Sequence, residues 1–300
     1  MKSAGIILCV LVLSVANSCE SGAFGQRADS SLLQTNNVQI LYDLKSPVEK
    51  YFLPYVLEEV SGLSYKSPNS ILAVDDEKGK IFEYNLLKKE VTQTIKFHHA
   101  ADFEGVEFVK NKIFALRSDG DIFEFRYSKK ASVEPRKFET SLSIANDTEG
   151  LGYDPISNKL LIACKEKGEI GKKEVKGKAI YGFDLKSKEL DKKPILTISE
   201  KQLRNFWKKN RVNDIKGHLN FKPSAIAFHP IQEVFYILSS TGKLLIVMDR
   251  DEQILATYPL SSKRLHQPEG LCFSPTGDMY ISSEGDGGRG YILKYEMIQK

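Results

Sequence analysis

The sequence predicts an all-β protein, a five-bladed β-propeller closed by an N-terminal strand. Three observations carry this expectation. A segment of about 45 residues recurs five times, each copy made of short β-branched or aromatic runs separated by turn residues. A fourth apolar run follows each copy, as at Val91–Phe97 and Ile254–Tyr258. The last copy stops after its third run, while an apolar run, Val38–Tyr42, stands alone before the first. Four short strands in one such period make one propeller blade. A detached strand that completes the final blade would close the ring and remove its open edges.

In chain order, the first element is a leader. Lys2 supplies a positive charge, and Ile6–Ala16 is apolar over eleven residues. A membrane span needs about 20 residues, so this run is the core of a signal peptide, residues 1–18. It ends in Val15-Ala16-Asn17-Ser18-Cys19, which resembles a bacterial lipobox with Cys19 as the lipidated residue. Asn17 is unusual in that place, and the alternative is ordinary secretory cleavage nearby. Residues 19–37 are polar and read as a flexible, lipid-anchored tether, so the expected membrane contact is through the lipid alone. The expected location is the cell envelope. Residues 38–300 are assigned to the propeller.

The five copies align on a small residue at positions 62, 105, 150, 225 and 270, spaced by 43, 45, 75 and 45 residues. The long interval is one period plus an insertion at about 190–220, and six blades is the alternative if that insertion hides a degenerate unit. Ser199-Glu200-Lys201-Gln202 reads as a capping box. Leu203, Phe206 and Trp207 then share one helical face. This predicts a short basic amphipathic helix, either laid across one mouth of the propeller or packed as a loop decoration.

Composition sets limits on function. The chain is 41% hydrophobic and 27% charged, which is globular and excludes disordered, collagenous and polytopic membrane classes. Lys+Arg number 43 against 39 Asp+Glu, too balanced for a dedicated nucleic-acid binder. A single Trp counts against a WD-type repeat. Four cysteines without C-x-x-C spacing exclude a zinc ribbon; Cys164 and Cys272 fall in strands of different blades and read as buried packing residues.

The chemistry-bearing pattern is a repeated Glu-Gly. Glu104, Glu149 and Glu269 directly precede the aligned glycine, Glu59 stands three residues before it in the first copy, and the fourth copy has Ser224. The first strand of each blade lines the central channel, so acids at its start converge on one channel entrance. Converging carboxylates repel unless a cation sits among them, and hard oxygen ligands suit Ca²⁺ or Mg²⁺. A second set ends the second strand: Asp75, Asp76, Glu77, Asp119, Glu166 and Glu284. The expected metal ligands are therefore Glu59, Glu104, Glu149, Glu269, Asp76, Glu166 and Glu284. The competing reading is that each Glu binds backbone N–H groups and pins strand to strand.

The pattern (E/D)-x-E-G-(L/I/V)-x-(Y/F), followed by an apolar strand and an acid, after a lipoprotein-type leader, resembles the SdiA-regulated family of β-propeller proteins. Residues 58–86, 101–126, 147–166 and 267–294 carry the resemblance. It implies a five-bladed propeller, similar to NHL-repeat proteins, with a calcium site. The fourth copy departs most from the pattern, having no Glu-Gly.

Other signals are weaker. Gly285-Asp286-Gly287-Gly288-Arg289-Gly290 lies between two strands with no helix after it and reads as a wide hairpin turn. Asp249-Arg250-Asp251-Glu252 reads as a hairpin tip. His98, His99 and His266 precede Glu-Gly strands, either facing the mouth or solvated in loops. No H-E-x-x-H, G-x-S-x-G or Walker pattern occurs. Two functions remain open: a non-enzymatic, Ca²⁺-supported propeller presenting a face to a ligand or envelope protein, and a metal-dependent phosphoesterase or lactonase working through the mouth carboxylates.

Overall fold

A computed structural model describes residues 41–298, apart from 173, 213–218 and 286. The leader, the tether, Cys19 and Val38–Ile40 lie outside the described residues. Twenty strands form five four-stranded antiparallel sheets. Blade one is β2 (Val60–Ser67), β3 (Ser70–Asp75), β4 (Lys78–Asn85) and β5 (Glu90–Lys96). Blade two is β6 (Phe103–Val109), β7 (Lys112–Arg117), β8 (Ile122–Arg126) and β9 (Arg136–Phe138). Blade three is β10 (Thr148–Asp154), β11 (Lys159–Cys164), β12 (Lys178–Asp184) and β13 (Leu196–Ile198). Blade four is β14 (Ala225–Phe228), β15 (Phe235–Ser239), β16 (Leu244–Met248) and β17 (Ile254–Pro259). Blade five is β18 (Pro268–Phe273), β19 (Met279–Ser283) and β20 (Tyr291–Tyr295), completed on its outer edge by β1 (Glu49–Phe52). The ring has five blades, and the six-bladed alternative falls.

Closure is by an N-terminal strand, but not by Val38–Tyr42. β1 pairs antiparallel with β20, Glu49 opposite Lys294 and Phe52 opposite Tyr291. Leu41 and Tyr42 are not in a strand. Tyr42 is instead buried between blades four and five, where its hydroxyl meets His229 Nε2 at 2.6 Å. An outermost strand buries little: in β1 only Tyr51 is buried. Its hydrophobic signal is correspondingly faint, and the more apolar run upstream drew the assignment.

The core is divided among five clusters, each between two adjacent blades. The capping box is present, Ser199 Oγ accepting from Gln202 N–H and Gln202 Oε1 accepting from Ser199 N–H. It starts α1 (Glu200–Lys209), which buries Leu203 and Trp207 in the cluster between blades three and four. Trp207 Nε1 donates to Thr257 Oγ1 at 2.8 Å. Thr257 belongs to β17, the outer strand of blade four, so the helix sits on a blade edge and not across a mouth. The insertion is also shorter than expected, because β13 lies within it. Cys164 and Cys272 are free and buried, as expected. Among the described residues no helix is long and apolar enough to cross a membrane.

Candidate functional site: a two-sided channel mouth

The innermost strands of neighbouring blades touch, and glycine is what permits it. A Cβ on Gly105 would fall 2.5 Å from Leu151 Cβ, and one on Gly62 would fall 2.9 Å from Gly105 Cα. The first strand carries one residue more than the second at this level in four blades: between Val60 and Gly62, Phe103 and Gly105, Thr148 and Gly150, and Pro268 and Leu271. The intervening residues include Ser61, Glu104, Glu149 and Glu269. A β-bulge re-aims a side chain out of the ladder. Here it places these side chains on the channel, whose lining they share with Ser224. Blade four has no such bulge.

Counting from the aligned small residue gives three tiers at this mouth. The ring tier is Ser61, Glu104, Glu149, Ser224 and Glu269. Two residues earlier come Glu59, Asp102, Asp147, Lys222 and Gln267. After the second strand come Asp76, Ser118, Lys165, Ser240 and Glu284. Glu59 therefore belongs with Asp102 and Asp147, and Ser61 holds the ring place in blade one. In blade three the strand-end place is Lys165, and Glu166 stands one step beyond it.

Charge divides the mouth into two sectors. Blades five, one and two bring Glu59, Asp76, Asp102, Glu104 and Glu284. Burial and the nearby Glu59 and Asp75 carboxylates push Asp76 up to about 6. Burial, with Asp76 and Glu59, pushes Glu284 up to about 7. Burial and the Glu149 charge push Glu104 up as well. Burial, with Glu149 and Glu284, pushes Glu269 up to about 8. Asp76 Oδ1 and Glu269 Oε2 are buried without a hydrogen-bond partner. These are carboxylates short of positive charge.

Blades three and four bring lysines. Lys165 pairs with Glu149, and Lys222 pairs with Glu166, which is further held by Lys178 at 3.8 Å. Those pairings keep the Glu166 carboxyl below its ordinary value. Of the expected metal ligands, Glu59, Asp76, Glu104, Glu269 and Glu284 share the under-neutralised sector. Glu149 adjoins it through its charge but is held by a lysine, and Glu166 stands apart. Asp75 is drawn off by Lys78 at 2.6 Å, and Asp119 by Arg117. Among the described residues no three His, Cys, Asp or Glu side chains converge closely enough to enclose an ion as they stand.

Sequence reading missed Asp102, Asp147, Lys165, Lys222 and Lys243. The signal was in the repeat: a fixed offset of three before the small residue names Asp102, Asp147 and Lys222, while Lys165 emerges only from the strand pairing, its distance from that residue varying between blades. Lys243, on the turn between β15 and β16, has no counterpart to count from. Asp147 also holds a left-handed backbone, φ 51°, which suits a short polar residue. The loop histidines take other roles. His98 packs edge-on against Phe103 and Phe123, with ring centroids 5.5 and 5.0 Å away. Gly285 and Arg289 lie against the chain before β2, Gly285 N–H donating to Glu58 O and Arg289 Nε to Leu53 O.

The SdiA-regulated family model matches residues 37–286. No curated protein matches significantly. Among solved structures, Myxococcus xanthus glutaminyl cyclase matches with a TM-score of 0.55 at 10% identity, over 84% of this chain and 95% of that one. The PQQ-bound aldose sugar dehydrogenase of Streptomyces coelicolor matches at 0.51 and 10%, over 84% and 97%. A Bacteroides thetaiotaomicron protein of unknown function matches at 0.51 and 13%, over 81% and 58%. At such identities the likeness shows the fold alone.

Proposed function

The chain belongs to the SdiA-regulated family, and from that premise we propose that it is a non-enzymatic propeller of the cell envelope that binds a divalent cation, Ca²⁺, and presents its channel mouth to a ligand or protein partner. Lipidation of Cys19 would tether it to the membrane. The observation that carries the cation is the orphaned buried oxygen Asp76 Oδ1, within a sector of raised carboxyls. The donors are hard oxygens, which suit Ca²⁺. Asp76, Glu104 and Glu284, with Glu59 at the edge, would hold the ion after side-chain rotation, and the ion would supply the missing positive charge. Binding is preferred to metal-dependent hydrolysis because two of the described histidines, His98 and His229, are engaged elsewhere. His98 lies in an aromatic cluster and His229 beneath Tyr42. That leaves the acids without an assured general base.

The test is a Ca²⁺ titration followed by thermal melting. A ligand that binds only the folded state stabilises it by RT ln(1 + [L]/Kd), about 2.7 kcal/mol at 100 times Kd. Wild type should melt higher in Ca²⁺ than in chelator, and Glu104→Gln should lose most of that difference. Equal melting of wild type with and without Ca²⁺ would defeat the cation reading.

A further inference from the structure

The departure of blade four from the repeat opens a cavity of about 270 Å³ beside the ring. Where three other blades present a bulged Glu, this blade has Ser224, whose hydroxyl donates to Pro268 O at 2.9 Å and accepts from Ser240 N–H at 3.2 Å. The space released is lined by Lys165, Lys222, Lys243, Ser240, Thr241 and Gln267. These come from blades three, four and five and from the segment entering β14, so the fold brings them together. Each lysine is partly buried and none is freely solvated. Lys165 and Lys222 are met by carboxylates. Lys243 is met by the backbone carbonyl of His266. Glu269 also lines the cavity, its orphaned Oε2 turned away from solvent.

We infer that this cavity binds a small hydroxylated anion, a sugar-sized carboxylate or phosphate ester, its oxyanion on Lys222 and Lys243 and a hydroxyl donating to Glu269. Lysine meets an oxyanion as a strong charge-assisted donor. Ser240, Thr241 and Gln267 supply neutral polar groups that suit a polyol frame. A carboxyl group in the cavity wall accepts a ligand hydroxyl and, when ionised, repels a bare anion, so both features belong to one molecule. The volume lies just under the ~300–1,000 Å³ of drug-sized pockets, which limits the ligand to about one sugar unit. The inference names the ligand class of the mouth proposed above and rests on that reading of it as a ligand face.

The test is calorimetry and thermal melting with D-gluconate and glucose 6-phosphate, with neutral D-glucose as the uncharged control, each run in chelator and in Ca²⁺. At least one anion should bind saturably and raise the melting temperature, while glucose does neither. Lys243→Gln should weaken that binding by about tenfold or more. Lys222→Gln should act likewise, and a far-UV spectrum checks that it still folds. Glu104→Gln, outside the cavity, should leave anion binding intact even where it abolishes the Ca²⁺ response, so the two readings fail separately. Neither anion binding, glucose binding equally, or Lys243→Gln binding like wild type would each overturn the inference.

Discussion

Arg250, at the hairpin tip between β16 and β17, grips Asp154 at the end of β10, its two guanidinium nitrogens 2.9 and 2.6 Å from the two carboxylate oxygens. The pair fastens blade four to blade three. The Asp154 side chain is 2% exposed and Arg250 36%. Burial raises the Asp154 carboxyl, but the bonds from Arg250, Ser157 and the Ile156 N–H outweigh it and hold the group below its ordinary value. Removing Arg250 would strand a buried charge. Arg250→Met should therefore cost about 2 kcal/mol at neutral pH. A group whose folded pKa is depressed stabilises above its unfolded value and loses that effect as pH falls through the folded one. Wild-type and variant melting temperatures should thus converge in acid, below the ordinary 3.8. A constant gap at all pH values would show that the cost is one of packing.

Ring closure depends on β1. Tyr51 is the one residue of that strand buried against the core, 8% exposed and edge-on to Tyr84. Tyr51→Ala should cost about 3 kcal/mol and uncover the edge of β20, promoting aggregation on heating. A melting curve like that of wild type would mean that the ring is held without this strand.

Gly105→Ala tests the close approach of the inner strands. The added methyl would lie 2.5 Å from Leu151 Cβ, where both partners are fixed to backbone. Overpacking of this kind costs about 1–3 kcal/mol. The same change would shift Glu104, so it should also weaken the Ca²⁺ response. Ala225 shows that blade four tolerates the methyl, and Ala225→Gly should leave stability nearly unchanged by comparison. Chemical denaturation of both variants decides the point.

The raised carboxyls fix the sign of the pH dependence. A carboxyl whose folded pKa lies above its unfolded value stabilises fully below the unfolded value and loses that contribution as pH rises through the folded one. For Asp76, Glu284 and Glu269 the folded values are about 6, 7 and 8, against 3.8 for Asp and 4.5 for Glu. Metal-free protein should therefore lose stability between about pH 4 and pH 8, and Ca²⁺ should flatten that fall. Ca²⁺ binding near neutral pH should also release protons, because its ligands must be ionised. Calorimetric heats would then differ among buffers of different ionisation enthalpy. Identical heats would exclude Asp76 and Glu284 as the ligands.

The repeat, the blade count and the helix start were all legible in the sequence, because each rests on local chemistry. A strand alternates, a turn wants Gly, Pro or Asn, and a capping box satisfies its own N–H groups. The ring glutamates Glu104, Glu149 and Glu269 were legible too, since a repeated residue at one register must come round to one place in a closed ring. What the tertiary structure decided is which of those acids lack a partner. Glu149 and Glu166 look like their neighbours in the repeat, yet Lys165 and Lys222 reach them from other segments, while Asp76 and Glu269 are left with orphaned oxygens. The bulges that aim the ring residues inward, the outer strand that closes the last blade and the cavity opened by Ser224 were equally out of reach. Each depends on how two segments distant in the chain come together, and burial, countercharge and free volume are properties of that meeting and of neither segment alone.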